Sequence, residues 1–254
     1  KKINIDINIQ IWTRLLMYSF VAFIFADKAN VLKLLASKNG IALSTVNILH
    51  ILSTYIGFKY LDGGIAFSIF YIYPLFIILF GGHGFSISMI FIIIGLILLA
   101  KNNISTTYDK PFIGFIMVII AAITEAIIYF IVKKLPSKNS WNILFVTYIL
   151  GATVFSIYMG YLYINGNIIS ENMDSKVKKD TIYLLIINGA IGSLAYYLRF
   201  YTIKRLKLGL YAMLSYFSII MAFVYGYLWS GETINIREII GMLCIVIAGH
   251  KLMY

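Results

Sequence analysis

The sequence has one cysteine, Cys244, three histidines and only ten acidic residues in 254 positions. A lone thiol cannot form a disulfide within the chain. Cys244 also lies in an apolar stretch, where a small packing residue is the ordinary reading. Three histidines and one cysteine leave little from which to build a metal centre, so no metal and no cofactor are expected. Charge is scarce as well: charged residues make up 12% of the chain, against roughly 25% in a soluble domain. Catalytic signatures are missing too. There is no His-Glu-x-x-His, no Gly-x-Ser-x-Gly, no Gly-Lys-Ser/Thr phosphate loop and no Rossmann glycine fingerprint, so no catalytic residue is assigned.

What is present is apolar. Hydrophobic residues make up 61% of the chain, and mean hydropathy is +0.90. Such a chain cannot cover its own surface with polar groups and needs lipid as its solvent. The net charge of +11 would suggest nucleic acid in a soluble protein. Here the bases cluster at the ends of apolar runs, as in Lys133-Lys134, Lys178-Lys179 and Lys204-Arg205. That pattern fits anchoring at anionic headgroups, and no nucleic-acid partner is expected.

A membrane-spanning helix needs about 20 mostly apolar residues. The sequence predicts spans over 11–36 (with a break near Asp27-Lys28), 41–60, 63–81, 84–101, 111–134, 140–164, 181–204, 208–230 and 234–253. That makes about nine transmembrane helices in an all-α, multi-pass integral membrane protein. The runs are continuously apolar rather than alternating, which excludes a closed barrel. Asn165–Asp180 reads as a solvated loop. In Lys1–Gln10 isoleucine alternates with polar residues, which reads as strand-like. The first apolar run begins at Ile11 and contains Arg14, so it is not expected to be a removable leader.

Two stretches resemble one another. Gly57-Phe-Lys-Tyr-Leu61-Asp-Gly-Gly64 precedes one apolar run, and Tyr201-Thr-Ile-Lys-Arg-Leu206-Lys-Leu-Gly209 precedes another. One fixed offset pairs Leu61 with Leu206, Gly64 with Gly209 and Gly81 with Gly226. Internal duplication of this kind is the sequence mark of many transporters.

The last 70 residues resemble the drug/metabolite transporter superfamily, in particular its EamA-type members. Leu194-Ala-Tyr-Tyr-Leu-Arg-Phe-Tyr-Thr-Ile-Lys-Arg-Leu206 resembles the family's eighth helix and its basic end. Trp229-Ser-Gly-Glu232 resembles the Gly-Glu between its last two helices, and Gly241 and Gly249 resemble the paired glycines of its final helix. In the first half, Tyr73-Pro74-Leu75-Phe76 resembles its fourth helix. The resemblance implies ten helices in two inverted five-helix repeats. Residues 1–105 would be helices two to five of the first repeat, its first helix having no counterpart here, and 106–254 would be the second repeat. The chain departs from the family at Gly81-Gly-His-Gly84, where Gly-Glu is usual, and at Ile219, where proline is usual. Counting bases on the two sides does not fix the orientation. With the family's topology ten fall on each side, Arg14 among those opposite the cytoplasm. The implied function is alternating-access transport of a small polar or amphipathic metabolite, proton-coupled or by exchange. The carrier would be a monomer or homodimer.

Ionisable groups at membrane depth cost roughly 2.5–3.5 kcal/mol each on insertion scales, so they mark cavities or partners. Glu125 is the one acidic residue deep in a predicted span, and Arg199 lies a turn inside the end of its own. Snorkelling to the interface is the ordinary reading of Arg199. Asn47, His50 and Thr54 share a face of 41–60, with Ser44 at its edge. Tyr211, Ser215, Ser218, Ala222 and Tyr225 fall within about 80° of arc. Ala121, Glu125 and Tyr129 share a side, and Ser68, Tyr71 and Pro74 mark another span. The candidate substrate-binding set is Glu125, His50, Asn47, Tyr129, Tyr196, Arg199, Tyr211, Ser215, Ser218 and Tyr71. It would lie near the midplane between the repeats, on the spans 41–60, 63–81, 111–134, 181–204 and 208–230. Helix-to-helix hydrogen bonding explains the same polar positions without a ligand. Three other functions stay open. A channel would use these stripes as a pore lining, though no selectivity-filter motif is visible. An intramembrane enzyme would rest on His50 and a serine. A scaffold would need none of these residues.

Overall fold

A computed structural model of the chain describes residues 6–61, 63–82, 86–100, 109–165, 175–230 and 235–251. Among them the helical segments are α1 (Ile7–Phe25), α2 (Lys28–Leu35), α3 (Lys38–Tyr60), α4 (Gly63–Phe70), α5 (Tyr73–Phe80), α6 (Ile87–Ala100), α7 (Pro111–Lys134), α8 (Ser140–Ile164), α9 (Ser175–Arg205), α10 (Leu208–Ser230) and α11 (Ile236–Lys251). The described residues contain no strand. Five helices are long and apolar enough to cross a bilayer: α1, α3, α7, α8 and the Ile182–Arg205 part of α9. Shorter apolar helices run over Ile65–Phe80, Ile87–Leu99 and Leu208–Met221. The fold is an all-helical membrane fold.

Local chemistry places the helix ends. The alternation in Lys1–Gln10 does not make a strand where the structure describes it, because Ile7–Gln10 is already the first turn of α1. Asp6 caps that turn, its carboxylate accepting from Asn8 N–H at 2.7 Å. The expected break near Asp27 is present. Ala26 turns to extended backbone, and Asp27 then caps α2 by accepting from the N–H groups of Ala29 and Asn30. The N–H that the break leaves on Asp27 donates to Asn142 Oδ1 at 2.8 Å, so that donor is not stranded.

The predicted span 63–81 is interrupted at Tyr71-Ile72, between α4 and α5. Pro74 has no N–H to give the carbonyl one turn back, and the chain crosses the gap with a tighter turn, Ile72 N–H to Ile69 at 3.1 Å. Helix α9 starts at Ser175, so the end of the polar stretch Asn165–Asp180, from Ser175 on, is helix rather than loop. At α11, Asn235 and Glu238 cap one another: each side chain accepts the other's main-chain N–H, at 2.9 and 3.0 Å. Residues 83–84, 166–174 and 231–232, with the Gly-His-Gly and Gly-Glu features predicted there, lie outside the described residues. So do the side chains of Ala222, Tyr225 and His250.

The chain forms two compact units. The first comprises Lys1–Ile51 and Ile131–Lys204, and the second Leu52–Phe130 and Arg205–Tyr254. Each draws on both halves of the sequence, a division by compactness rather than by repeat. In the first, α1 and α2 pack on α8. In the second, α6 packs on α11, and α5 and α11 pack on α10. The core of the second unit joins Leu75 and Ile78 to Ile92, Leu96, Tyr216 and Ile245.

Helices α6 and α11 meet at glycines. A Cβ on Gly95 would stand 2.7 Å from the Gly241 carbonyl oxygen, and one on Gly241 would stand 3.0 Å from that of Gly95. Lipid exerts no squeezing force between apolar helices, so close main-chain approach of this kind carries the association. Alanine would gain roughly 0.5–1 kcal/mol of helix preference over glycine, but overpacking against a rigid main chain costs about 1–3 kcal/mol. Gly95→Ala should therefore lower the melting temperature of the detergent-purified protein. Gly241→Ala, with the wider clearance, should lower it less. Differential scanning fluorimetry measures both.

Candidate functional site

The first unit holds a cationic and aromatic cluster on α1, α8 and α9. Arg14 Nη2 donates to the Tyr196 hydroxyl at 3.0 Å. The Arg14 guanidinium carbon lies 5.2 Å from the Tyr18 ring centroid and 5.4 Å from that of Tyr196. The Arg199 guanidinium carbon lies 5.2 Å from the same Tyr196 ring. The Tyr18 ring is 4.8 Å from Tyr148 and 5.5 Å from Tyr196, and Tyr148 and Tyr196 meet edge-on at 5.7 Å. Tyr148 is fully buried, and its hydroxyl has no hydrogen-bond partner among the described residues. Gly192 makes room for the group, since a Cβ there would overlap the Tyr18 hydroxyl.

The depth of this cluster follows from the helix ends. Lys204 Nζ donates to the carbonyls of Val132, Lys133 and Leu135 at 3.2, 3.3 and 2.6 Å, and Lys133 Nζ donates to Ile203 at 3.0 Å. These bonds tie the C-terminal ends of α7 and α9 together, each lysine completing the other helix's open carbonyls. Helix α8 starts just beyond, at Ser140, where Asn139 caps it. Asn142 in turn holds the end of α1 through Asp27. Trp141, at the start of α8, stacks on Tyr197 at 4.2 Å and meets Phe25 at the end of α1 at 4.8 Å. Counted from this shared side, Tyr18 and Arg14 lie seven and eleven residues in, Tyr148 eight and Tyr196 nine. At 1.5 Å per residue that is roughly 10–17 Å, close to the midplane of a hydrocarbon core about 30 Å thick.

Two sequence readings change here. Arg14, counted among the bases on the side opposite the cytoplasm, is a residue of the α1 interior bonded to Tyr196. Arg199, expected to snorkel, lies against the Tyr196 ring one turn back on its own helix. The rule that flags charge at depth singles out Arg14 as readily as Glu125. No sequence signal marks Tyr18 or Tyr148, because the chain has 20 tyrosines.

The other candidates in this unit are Asn47 and His50, both buried. Asn47 Nδ2 donates to the Thr147 carbonyl at 3.1 Å, and its neighbour Ser44 donates to that of Val146. That face of α3 thus bonds the main chain of α8.

In the second unit, Glu125 on α7 is 3% exposed, between buried Thr124 and Ala126. One turn on, the Tyr129 ring lies 4.8 Å from that of Tyr211 on α10. Ser215 donates to the Tyr211 carbonyl at 2.9 Å. Ser218 is exposed and bonds the Tyr71 hydroxyl at 3.0 Å. The structure therefore brings together Tyr129 with Tyr211, Tyr71 with Ser218, and Tyr196 with Arg199.

A cavity of about 430 Å³ opens beside the α1–α2 break, lined by Asp27, Asn30, Lys33, Ser37, Lys138 and Asn142 among others. None of the candidate residues lines it. Asp27 and Asn142 there are already engaged in capping and bridging. Among the described residues no group of His, Cys, Asp and Glu is placed to hold a metal ion.

The EamA-like transporter family matches residues 112–249, from the first turn of α7 to the end of α11. The chain belongs to the EamA-like transporter family. The family is part of the drug/metabolite transporter superfamily, whose members are multi-pass membrane transporters rather than enzymes. No curated protein matches the chain. A protein solved by crystallography is similar to it over 97% of this chain and 87% of that one, with a TM-score of 0.69 at 13% identity. At that identity the likeness shows a shared fold.

The lysine ties give a direct test of the helix-end chemistry. Hydrogen bonds to charged groups contribute about 1.5–3 kcal/mol. Lys204→Met should lower the melting temperature clearly, because it strips three carbonyls of their donor. Lys134→Met, at an exposed neighbouring position, should leave it near wild type.

Proposed function

We propose that this protein is a carrier that moves a small polar or amphipathic metabolite across a bilayer by alternating access. It would bind the metabolite near the midplane between two inverted repeats. The observation that supports this most is Glu125, a carboxylate buried to 3% exposure in a membrane helix of a transporter family member. Acidic side chains at such depth recur where protons or cationic groups are handled. The titratable side chains on the same stretch of α7 and in ring contact with it are Tyr129 and Tyr211. Glu125 would exchange a proton as the site changes sides. His50, Asn47, Tyr71, Tyr196, Arg199, Ser215 and Ser218 would supply substrate contacts. The protein would act as a monomer or homodimer, without a cofactor, a catalytic step or a nucleic-acid partner.

The test is transport by purified protein in proteoliposomes, with substrates taken from a thermal-shift screen of metabolites. Wild type should show saturable uptake and counterflow that vary with pH. Glu125→Gln should flatten the pH dependence, and an unchanged profile would remove Glu125 from the mechanism. Unitary currents in planar bilayers, without counterflow, would turn the reading to a channel.

A further inference from the structure

We infer that the cavity beside the α1–α2 break is a binding site for the phosphate group of an anionic membrane lipid. Such a site differs from the general attraction of basic loops to headgroups in having fixed donors, and it does not depend on the carrier reading. The cavity measures about 430 Å³, far more than the roughly 30 Å³ of one water molecule. Its position points to the source of the ligand. Helices α1 and α8 are each long and apolar enough to cross a bilayer. The bond from Asp27 N–H to Asn142 joins the end of one to the start of the other. The junction therefore lies where two spans leave the hydrocarbon, at the level of lipid phosphates. Ile24 and Phe25, just before the break, are both more than half exposed. They offer acyl chains an apolar surface next to the cavity.

The donors around the cavity point to an anion. Lys33 on α2 and Lys138 just before α8 line it. Among the described residues neither ammonium group has a hydrogen-bond or ion-pair partner. The stretches 26–40 and 132–142 carry Lys28, Lys33, Lys38, Lys133, Lys134 and Lys138 against one acid, Asp27. Asp27 has little left for a cation, because its carboxylate already accepts from Ala29 N–H, Asn30 N–H and Asn30 Nδ2 at 3.2, 3.5 and 2.5 Å. The second, independent observation is Asn142, which lines the cavity and is 1% exposed. Its Oδ1 accepts from Asp27 N–H, and its Nδ2 has no partner among the described residues. A buried amide donor without a partner calls for an acceptor. Helix α8, 25 residues long, starts at the same wall with Asn139 as its cap, and a helix start favours negative charge. Phosphate oxygens accept from ammonium and amide donors alike.

The full chain, purified in detergent, is titrated with dioleoyl phosphatidylglycerol or dioleoyl phosphatidylcholine, which share acyl chains and a phosphodiester but differ in net charge. Native mass spectrometry counts bound lipid, and the melting temperature is followed in parallel. Phosphatidylglycerol should be retained and should stabilise the protein, with phosphatidylcholine about tenfold weaker or more. Lys33→Gln and Lys138→Gln should each weaken phosphatidylglycerol binding about tenfold or more, the effect of losing a charge-assisted hydrogen bond. Both lysines are exposed, so the lipid-free melting temperature should stay at wild type. Lys134→Gln removes the same charge from an exposed position that does not line the cavity. It should cost at most the roughly fivefold that general attraction to an anionic surface supplies. Asn142→Asp keeps an acceptor for Asp27 N–H but removes the amide donor, and should abolish the preference for phosphatidylglycerol; if it does not fold, the three lysine variants decide. The inference is overturned if the two lipids bind alike, if the three lysine variants lose the same affinity, or if folded Asn142→Asp keeps the wild-type preference. Stabilisation by glycerol 3-phosphate with none from phosphatidylglycerol would assign the cavity to a soluble phosphate ester and also overturn it.

Discussion

The bond from Arg14 Nη2 to the Tyr196 hydroxyl joins α1 to α9 at a depth where lipid offers no replacement partner. An arginine at the centre of a bilayer costs roughly 2.5–3.5 kcal/mol on insertion scales. Its hydrogen bond contributes about 1.5–3 kcal/mol, and each of its two ring contacts about 0.5–2 kcal/mol. The terms are of one size, so the contacts with Tyr18 and Tyr196 offset much of what it costs to hold Arg14 there. The same constraint reaches the main chain. Ser44 and Asn47 bond carbonyls of α8, and the broken turn at Asp27 is completed by Asn142. Among the described residues the Tyr148 and Tyr216 hydroxyls stand apart from this pattern, each buried without a hydrogen-bond partner.

Packing serves the polar arrangement in turn. Gly192 leaves the space that the Tyr18 hydroxyl fills, and Gly151 does the same for the Leu15 side chain on the neighbouring face of α1. Tyr18 is thus held by α9 as well as by its ring contacts, and it supports Arg14 one turn away. In the second unit the closest approach is between main chains, at Gly95 and Gly241, with no polar side chain involved. The first unit carries its buried polar contacts on α1, α3, α8 and α9, while the second joins aliphatic packing around α6 and α11 to ring contacts such as Tyr129 with Tyr211.

Most of the fold could be read from the residues. Continuous apolar runs mark α3, α7, α8 and α10 almost to their ends, because a helix crossing lipid has a length set by the bilayer. The failures have local causes. The alternation in Lys1–Gln10 reads as a strand, but over Ile7–Gln10 the cap that Asp6 provides outweighs a two-residue period. The turn at Tyr71-Ile72 depends on where the chain spends the bonds that Pro74 withholds, which composition does not reveal. The start of α9 lies in a polar segment that hydropathy cannot distinguish from a loop. For the site, Glu125 was evident because it is a lone carboxylate in an apolar helix. The pairing of Arg14 with Tyr196 was not, because it links positions 182 residues apart. Spacing along one helix carries no information about such a contact. The lysines at 133 and 204 read as headgroup anchors, since nothing in their own helices shows that each faces the other's open carbonyls.

Those two lysines also decide how the first unit is attached to its own chain. Its second segment begins at Ile131 and ends at Lys204, and the bond from Lys133 to Ile203 spans 70 residues. Entry and exit therefore lie within the reach of one ammonium group. In the folded protein this bond closes a loop of that length, and the entropy of closing such a loop grows only slowly with its length. Helices α8 and α9 thus form a hairpin whose open end is sewn shut by charge rather than by covalent chemistry. A chain with a single cysteine has no covalent means of doing so.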